Sequence, residues 1–142
     1  MKLEDIIRTK GTDVVTISSD ASVTELVSLL AEHRIGAAVV SNDGRHVDGI
    51  VSERDIVRVL GSRGTDLLEL TVADLMTADV HTCHPEDKIE DLARAMTDRR
   101  IRHVPVVVKG ELHAIVSIGD VVKHRIDQLT EERDQLIDYL HT

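Results

Sequence analysis

Two short constellations in this chain have the makings of a small-molecule site: Ser52 with Asp55, and Ser117 with Asp120. In each, a hydroxyl and a carboxylate stand three residues apart where an apolar run, Gly49-Ile50-Val51 or Ala114-Ile115-Val116, gives way to a helical pattern. That spacing turns both side chains to one side of a helix start, where the unpaired N–H groups of the first turn point at whatever lies above them. The corner suits a ribosyl phosphate. The carboxylate can accept from two ribose hydroxyls while the hydroxyl and the backbone donate to phosphate. The same spacing also describes a plain capping arrangement, with Ser52 and Ser117 as caps and Asp55 and Asp120 favoured by the positive helix end. For one copy taken alone, these residues leave the two readings level.

Other chemistry is less well supported by the residues. Cations cluster at Arg99, Arg100, Arg102 and His103, with Arg34 and Arg54 in the first half, and these could meet a small anion. His81-Thr82-Cys83-His84 invites a metal, but no second cluster with zinc-ligand spacing completes four ligands, and no metal is expected. Cys83 beside two histidines could be imagined as a nucleophile, yet no oxyanion-forming glycine motif is near it. Neither a Gly-x-x-x-x-Gly-Lys phosphate loop nor a Gly-x-Gly-x-x-Gly turn occurs, so an enzyme is not expected.

The elements that must position these groups occur twice. Val23, Leu26, Leu30 and Ile35 recur as Ile89, Leu92, Met96 and Ile101, in the same order and spacing, ahead of each Ser-x-x-Asp. Each unit opens on a short apolar-acidic segment, Leu3 to Ile7 or Val72 to Met76, followed by an extended stretch, Val14 to Ile17 or Val80 to Thr82. An amphipathic helix follows in each, with Ser22 and Glu25 marking the first start and Pro85, Glu86 and Asp87 the first turn of the second. Then come two apolar, β-branched runs joined at Asp43-Gly44 or Lys109-Gly110, which suggest hairpins, and a closing helix. The unit order is strand, helix, strand, strand, helix. Boundaries fall at 2–62 and 71–126, with a linker over 63–70 that Gly61 to Thr65 announces, and a helical extension over 127–142. In that last helix Val122, Ile126, Leu129, Arg133, Leu136 and Leu140 alternate spacings of four and three, a seam for the module itself or for a second subunit.

Composition sets the outer bounds. A 142-residue chain with 42% apolar residues can bury a single core. Its net charge of −9, with no Trp, no Phe and one Tyr, disfavours a nucleic acid polymer but leaves a nucleotide open. No apolar run approaches the ~18 residues of a membrane span, and the charged, amphipathic first ten residues do not read as a signal peptide. With Cys83 as the single cysteine, a cytoplasmic protein is expected.

Taken in order, Val72-Ala73-Asp74-Leu75-Met76-Thr77, Arg100-Ile-Arg-His-Val-Pro-Val-Val107 and the paired Ile-Val-Ser-x-x-Asp endings resemble the cystathionine-β-synthase (CBS) domain in its tandem form, the Bateman module. The resemblance covers about residues 2 to 125. It implies an α/β fold in which two pseudo-symmetric repeats pack sheet to sheet as a disc, leaving two clefts for adenosyl ligands such as AMP, ADP, ATP, NAD(H) or S-adenosylmethionine. Carried over, it makes Asp55 and Asp120 ribose contacts, Ser52 and Ser117 hydroxyl contacts near phosphate, and Arg102 and His103 basic phosphate contacts. The matching positions of the first repeat are Gly36 and Ala37, for which Arg54 could compensate, its counterpart being Gly119. One cleft would join Ile115, Ser117 and Asp120 to Thr12, Thr16, Ile17, Ile35 and Ala37, with Arg102 and His103 making it the stronger phosphate site. The other would join Ile50, Ser52 and Asp55 to Thr77, Val80 and Ile101. The function implied is a regulatory module sensing energy or redox state through an adenine nucleotide, homodimeric and acting on an unidentified effector protein. The alternatives are a structural interaction protein with vestigial clefts and a metal-binding sensor.

Overall fold

The structure, a computed structural model, describes residues 1–141. Helix α1 (Leu3–Lys10) forms because Leu3, Ile6 and Ile7 share one face and are buried, while Glu4 and Asp5 open it and Arg8 and Lys10 close it, matching the helix dipole. Strand β1 (Thr16–Ile17) leads to α2 (Val23–His33), where the Ser22 hydroxyl accepts from the Glu25 N–H as the sequence pattern predicts. Strands β2 (Ala37–Val40) and β3 (Gly49–Ser52) follow, then α3 (Glu53–Arg63). The second half holds α4 (Val72–Leu75), α5 (Ile89–Arg99), β4 (His103–Val108), β5 (Glu111–Ser117) and α6 (Ile118–His141). One sheet has the order β1-β2-β3, with β1 parallel and β3 antiparallel to β2. The other is the antiparallel pair β4-β5, joined at Lys109 (φ 54) and Gly110 (φ 78), the two left-handed residues of a tight hairpin turn.

Four local expectations need correction. Val80 to Thr82 forms no strand; the chain there pairs with β4 at a single parallel bridge, Cys83 to Val106, one residue further on. Helix α5 begins at Ile89 after Lys88, so Pro85 and Glu86 lie in a preceding turn and Glu90 and Asp91 supply its first-turn charge. Asp43-Gly44 does not close a tight hairpin. Residues 41–48 form a wider loop in which one Asp43 carboxylate oxygen accepts from the N–H groups of Arg45 and His46, each at 2.8 Å. Helix α3 runs through Gly61 to Arg63, and residues Gly64–Glu69 form a 3-10 helix that folds back on the first half.

The two cores do not follow the two repeats. The second core joins Leu3, Ile6 and Ile7 of α1 to Ile89, Leu92, Met96, Val104, Val106 and Val116. The first joins Val72 and Leu75 of α4, with Leu67, to Val23, Leu26, Leu30, Ala38, Val40 and Val51. Each repeat has handed its opening segment to the other. The backbone repeats the exchange: Lys2 bridges Lys88 and Thr71 bridges Ser22, both antiparallel. A further cross-link runs both ways between Ile50 and Thr77, N–H to carbonyl at 3.0 and 2.9 Å. Gly49 makes that approach possible, because a Cβ there would stand 2.8 Å from the Met76 sulfur and 2.9 Å from the Thr77 carbonyl oxygen.

The closing helix α6 packs through Val121, then leaves the body. Val122, Ile126, Leu129, Leu136 and Leu140 are between 48% and 78% exposed, so the seam does not lie along its own module.

Candidate functional site

Both Ser-x-x-Asp corners form. At the end of β3 the Asp55 carboxylate accepts from the Ser52 N–H (2.9 Å) and hydroxyl (3.2 Å), and the Asp55 N–H reaches the Ser52 hydroxyl oxygen at 3.4 Å. At the end of β5 the Ser117 N–H donates to Asp120 at 2.9 Å and the Asp120 N–H to the Ser117 hydroxyl at 3.1 Å. The capping role is therefore real in both repeats. Beyond the cap the two corners differ.

Around the first lies a cavity of about 270 Å³ lined by Ala37, Ile50, Ser52, Asp55, Thr77 and Ile101, together with Gly36, Glu53, Arg54, Arg58, Arg100, Arg102 and His103. Ile50, Ser52, Asp55, Thr77 and Ile101 were expected together and are together; Val80 is half-buried and does not line the cavity. Arg102, His103 and Ala37 were expected beside Ser117 but line this cavity. The reason is the strand register. Ala37 lies opposite Ser52 and His103 opposite Ser117, and the entries to β2 and β4 face each other, a Cβ at Gly36 standing only 3.7 Å from the His103 ring. The bare Gly36-Ala37 corner thus leaves room into which the second repeat's cations project.

Charge in this cavity is lopsided: four arginines and a histidine against Glu53 and Asp55. Arg58, which the sequence reading missed, donates to the second Asp55 oxygen at 3.0 Å, and its side chain is 65% exposed. The pair is exposed only on the arginine side, Asp55 being buried, so the guanidinium is free to swing into solvent and leave that oxygen to another donor. Its one sequence signal was the i,i+3 spacing from Asp55. Arg54 reaches the Arg100 carbonyl at 3.4 Å. Burial lowers the His103 pKa below its ordinary value, and the positive charge of Lys10 adds to the effect.

The second corner is partly occupied from within, and a smaller cavity of about 180 Å³ remains beside Lys10 and Asp120, closed by Ile6, Thr9 and the Lys123-His124 and Asp127 side of α6. Lys10, at the end of α1, donates to the Ile115 carbonyl at 2.7 Å and to the Asp120 carboxylate at 2.5 Å. Burial would raise the Asp120 pKa, but the hydrogen bonds from Lys10 and Ser117 outweigh it and hold the carboxyl below its ordinary value. The expected cross-repeat segment does arrive, but through Lys10. Thr12 is exposed, Thr16 is half-buried, and Ile17 and Ile35 pack on the first core. Where Ile50 pairs with the Thr77 backbone, Ile115 has the Lys10 ammonium. Ala114 stands at the place of Gly49 and carries the Cβ that Gly49 must lack.

Cys83 has the wrong surroundings for a nucleophile. It is 3% exposed, its thiol donates to the Pro105 carbonyl, and burial pushes its pKa up to about 12. Its alkylation by iodoacetamide at pH 8 is expected to be at least ~10³-fold slower in the native protein than in urea, and native labelling at the unfolded rate would contradict this burial. His84 is turned away, with its Nδ1 on the Val107 carbonyl at 2.9 Å. Among the described residues no group of three or more His, Cys, Asp or Glu could hold a metal.

The family model for the CBS domain matches twice, over residues 3–62 and 72–127, and so takes in both corners and the exchanged segments. The chain belongs to the CBS-domain family. A CBS-domain protein of Agrobacterium tumefaciens superposes with a TM-score of 0.85 at 42% identity, over 88% of this chain and 99% of that one. The mitochondrial CBS domain-containing protein CBSX3 of Arabidopsis thaliana is 32% identical over 97% of this chain and 71% of its own length. The CBS domain pair of protein MJ0100, solved with 5′-methylthioadenosine and S-adenosyl-L-methionine, shares the fold at a TM-score of 0.79 and 24% identity, over 90% of this chain and 98% of that one. CBS pairs of this kind are generally regulatory, and the paired α/β architecture with its long last helix is that of the family. No helix among the described residues is long and apolar enough to cross a membrane.

Proposed function

We propose that this CBS pair is a regulatory module that binds a phosphorylated adenosyl ligand, from among AMP, ADP, ATP and NAD(H), in the Ser52–Asp55 cavity. One observation carries the reading: a single cavity offers a ribose-accepting carboxylate at Asp55, aliphatic walls at Ile50 and Ile101, and four arginines with no equal complement of acid. A ribose hydroxyl takes the Asp55 oxygen that Arg58 now holds, which frees the Arg58 guanidinium for phosphate. S-adenosylmethionine, which binds the MJ0100 pair, carries a sulfonium where this cavity places guanidinium groups, and is disfavoured here. The bound ligand holds Gly36, Glu53 and Arg54 of one repeat against Arg100 to His103 of the other, and any signal to an effector passes through that junction. The protein is read as cytoplasmic, where such nucleotides are found.

The test is a thermal-shift panel on protein stripped of co-purified ligand, with AMP, ADP, ATP, NAD, NADH and S-adenosylmethionine. A ligand at a hundredfold over its dissociation constant adds ~2.7 kcal/mol of stability, a shift of several degrees for a domain of this size. ADP or ATP is expected to give the largest shift and S-adenosylmethionine the smallest. No shift with any nucleotide would overturn the reading and favour the structural interaction protein.

A further inference from the structure

Among the described residues the seam on α6 is left uncovered by its own module, and its residue pattern says what would cover it. From Val122 the helix presents Val122, Ile126, Leu129, Arg133, Leu136 and Leu140 along one stripe ~27 Å long at 1.5 Å per residue. The five aliphatic members are about half to three-quarters exposed. Asp127, Glu131, Asp134 and Asp138 occupy the opposite face. A helix so divided is built to bury one side while keeping an acidic side in water. Among the described residues, nothing covers that stripe past Val121.

We propose that the stripe is covered by the same stripe of a second copy of this chain, running antiparallel. The stripe reads the same from both ends about its midpoint between Leu129 and Arg133. A two-fold axis there sets Val122 against Leu140, Ile126 against Leu136, and Leu129 against Arg133, with each layer repeated on the other side of the axis. Every layer but the central two is aliphatic on both sides. In those two, Arg133 meets Leu129 of the second copy, and Glu132, three residues along from that leucine on a neighbouring face, is within reach of the guanidinium. A parallel pair would instead stack Arg133 on Arg133 in the seam, a like-charge layer in which each guanidinium has only its own exposed Asp134, at 3.2 Å, to offset the repulsion. One charge thus selects orientation and register, at a cost in affinity. The antiparallel pairing sends the two ligand-binding bodies to opposite ends of a helical bridge. It is independent of the ligand proposed above.

The test uses the full chain. Sedimentation over a range of concentrations is expected to show a monomer–dimer equilibrium. Leu136→Asp, at a residue 65% exposed in the monomer, should abolish the dimer while leaving the melting temperature of the dilute protein unchanged. Arg133→Leu should tighten the dimer at least tenfold. Orientation is read by disulfide trapping, since native Cys83 is buried. Ile126→Cys/Leu136→Cys together should yield a covalent dimer on mild oxidation, and Leu136→Cys alone should not. A chain that stays monomeric at hundreds of micromolar, a dimer untouched by Leu136→Asp, or ready trapping by Leu136→Cys alone would each overturn the proposal.

Discussion

Arg102→Glu is expected to weaken ATP binding about a hundredfold or more, to weaken adenosine binding little, and to leave the unliganded protein's melting temperature nearly unchanged. Arg102 is exposed and lines the Ser52–Asp55 cavity, and its backbone carbonyl, which this substitution keeps, accepts from the Ile118 N–H. A hydrogen bond between charged groups contributes about 1.5–3 kcal/mol, and reversing the charge adds repulsion to its loss. Since each 1.4 kcal/mol is tenfold, two orders of magnitude is the expected scale. Asp55→Ala should behave differently, lowering affinity for adenosine and ATP alike because the ribose contact is common to both. It should also cost stability, because the Asp55 carboxylate completes the capping box that Ser52 opens at the start of α3. Proton linkage gives a second readout. His103 has its pKa lowered by burial and by Lys10, so most of it is neutral at pH 7. A polyphosphate alongside raises that pKa, so binding takes up a proton and tightens as pH falls through the liganded pKa toward the lowered pKa of the free protein. Calorimetry in buffers of different ionisation enthalpy would measure both effects. An ATP dissociation constant unchanged by Arg102→Glu would remove the cavity from consideration.

What could be read from the sequence, and what could not, divides along sequence separation. The Ser22–Glu25 cap, the Lys109-Gly110 turn and both Ser-x-x-Asp corners depend on residues within three or four positions of one another, and all formed. Propensity misled at two breakers. Gly61 stays helical inside α3 though it is exposed, since a single glycine costs a helix only about 1 kcal/mol, and Pro85 lies in a turn because α5 waits for Ile89, the first residue of that helix to enter the second core. The site was legible in kind but not in arrangement. Ile50, Ser52, Asp55, Thr77 and Ile101 converge, but which corner receives Arg102 and His103 depends on how the two sheets face each other, which no single repeat encodes. Lys10 lies 110 positions from Asp120 and lacks any counterpart motif, so its entry into the second corner was invisible. Two unequal corners were legible from Gly36-Ala37 against Arg102-His103; which of them holds the larger, arginine-lined cavity was not.

The exchange of opening segments carries the largest expected effect on stability. Leu3→Ala should cost about 2–5 kcal/mol, the range for removing a fully buried leucine, even though it lies at the third position of the chain, where substitutions are ordinarily tolerated. Leu3 is 0% exposed and packs in the second core with Met96, Val104 and Val116, all of them 93 or more positions away by sequence. The matching change in α4, Val72→Ala, should destabilise the first core, with a smaller loss for the smaller side chain. Because each core is built from both repeats, neither has a complete interior alone, and the two should unfold together. Urea denaturation of Leu3→Ala is expected to show one transition at lower midpoint with unchanged slope, the signature of lost stability without a change in the surface exposed. Two separated transitions, only one of them moved to lower urea by Leu3→Ala, would show that the repeats fold independently and that the exchanged helices are ornaments on cores complete without them. A single transition would mean that a ligand gripping the Ser52–Asp55 cavity, walled by both repeats, stabilises the whole module rather than one half of it.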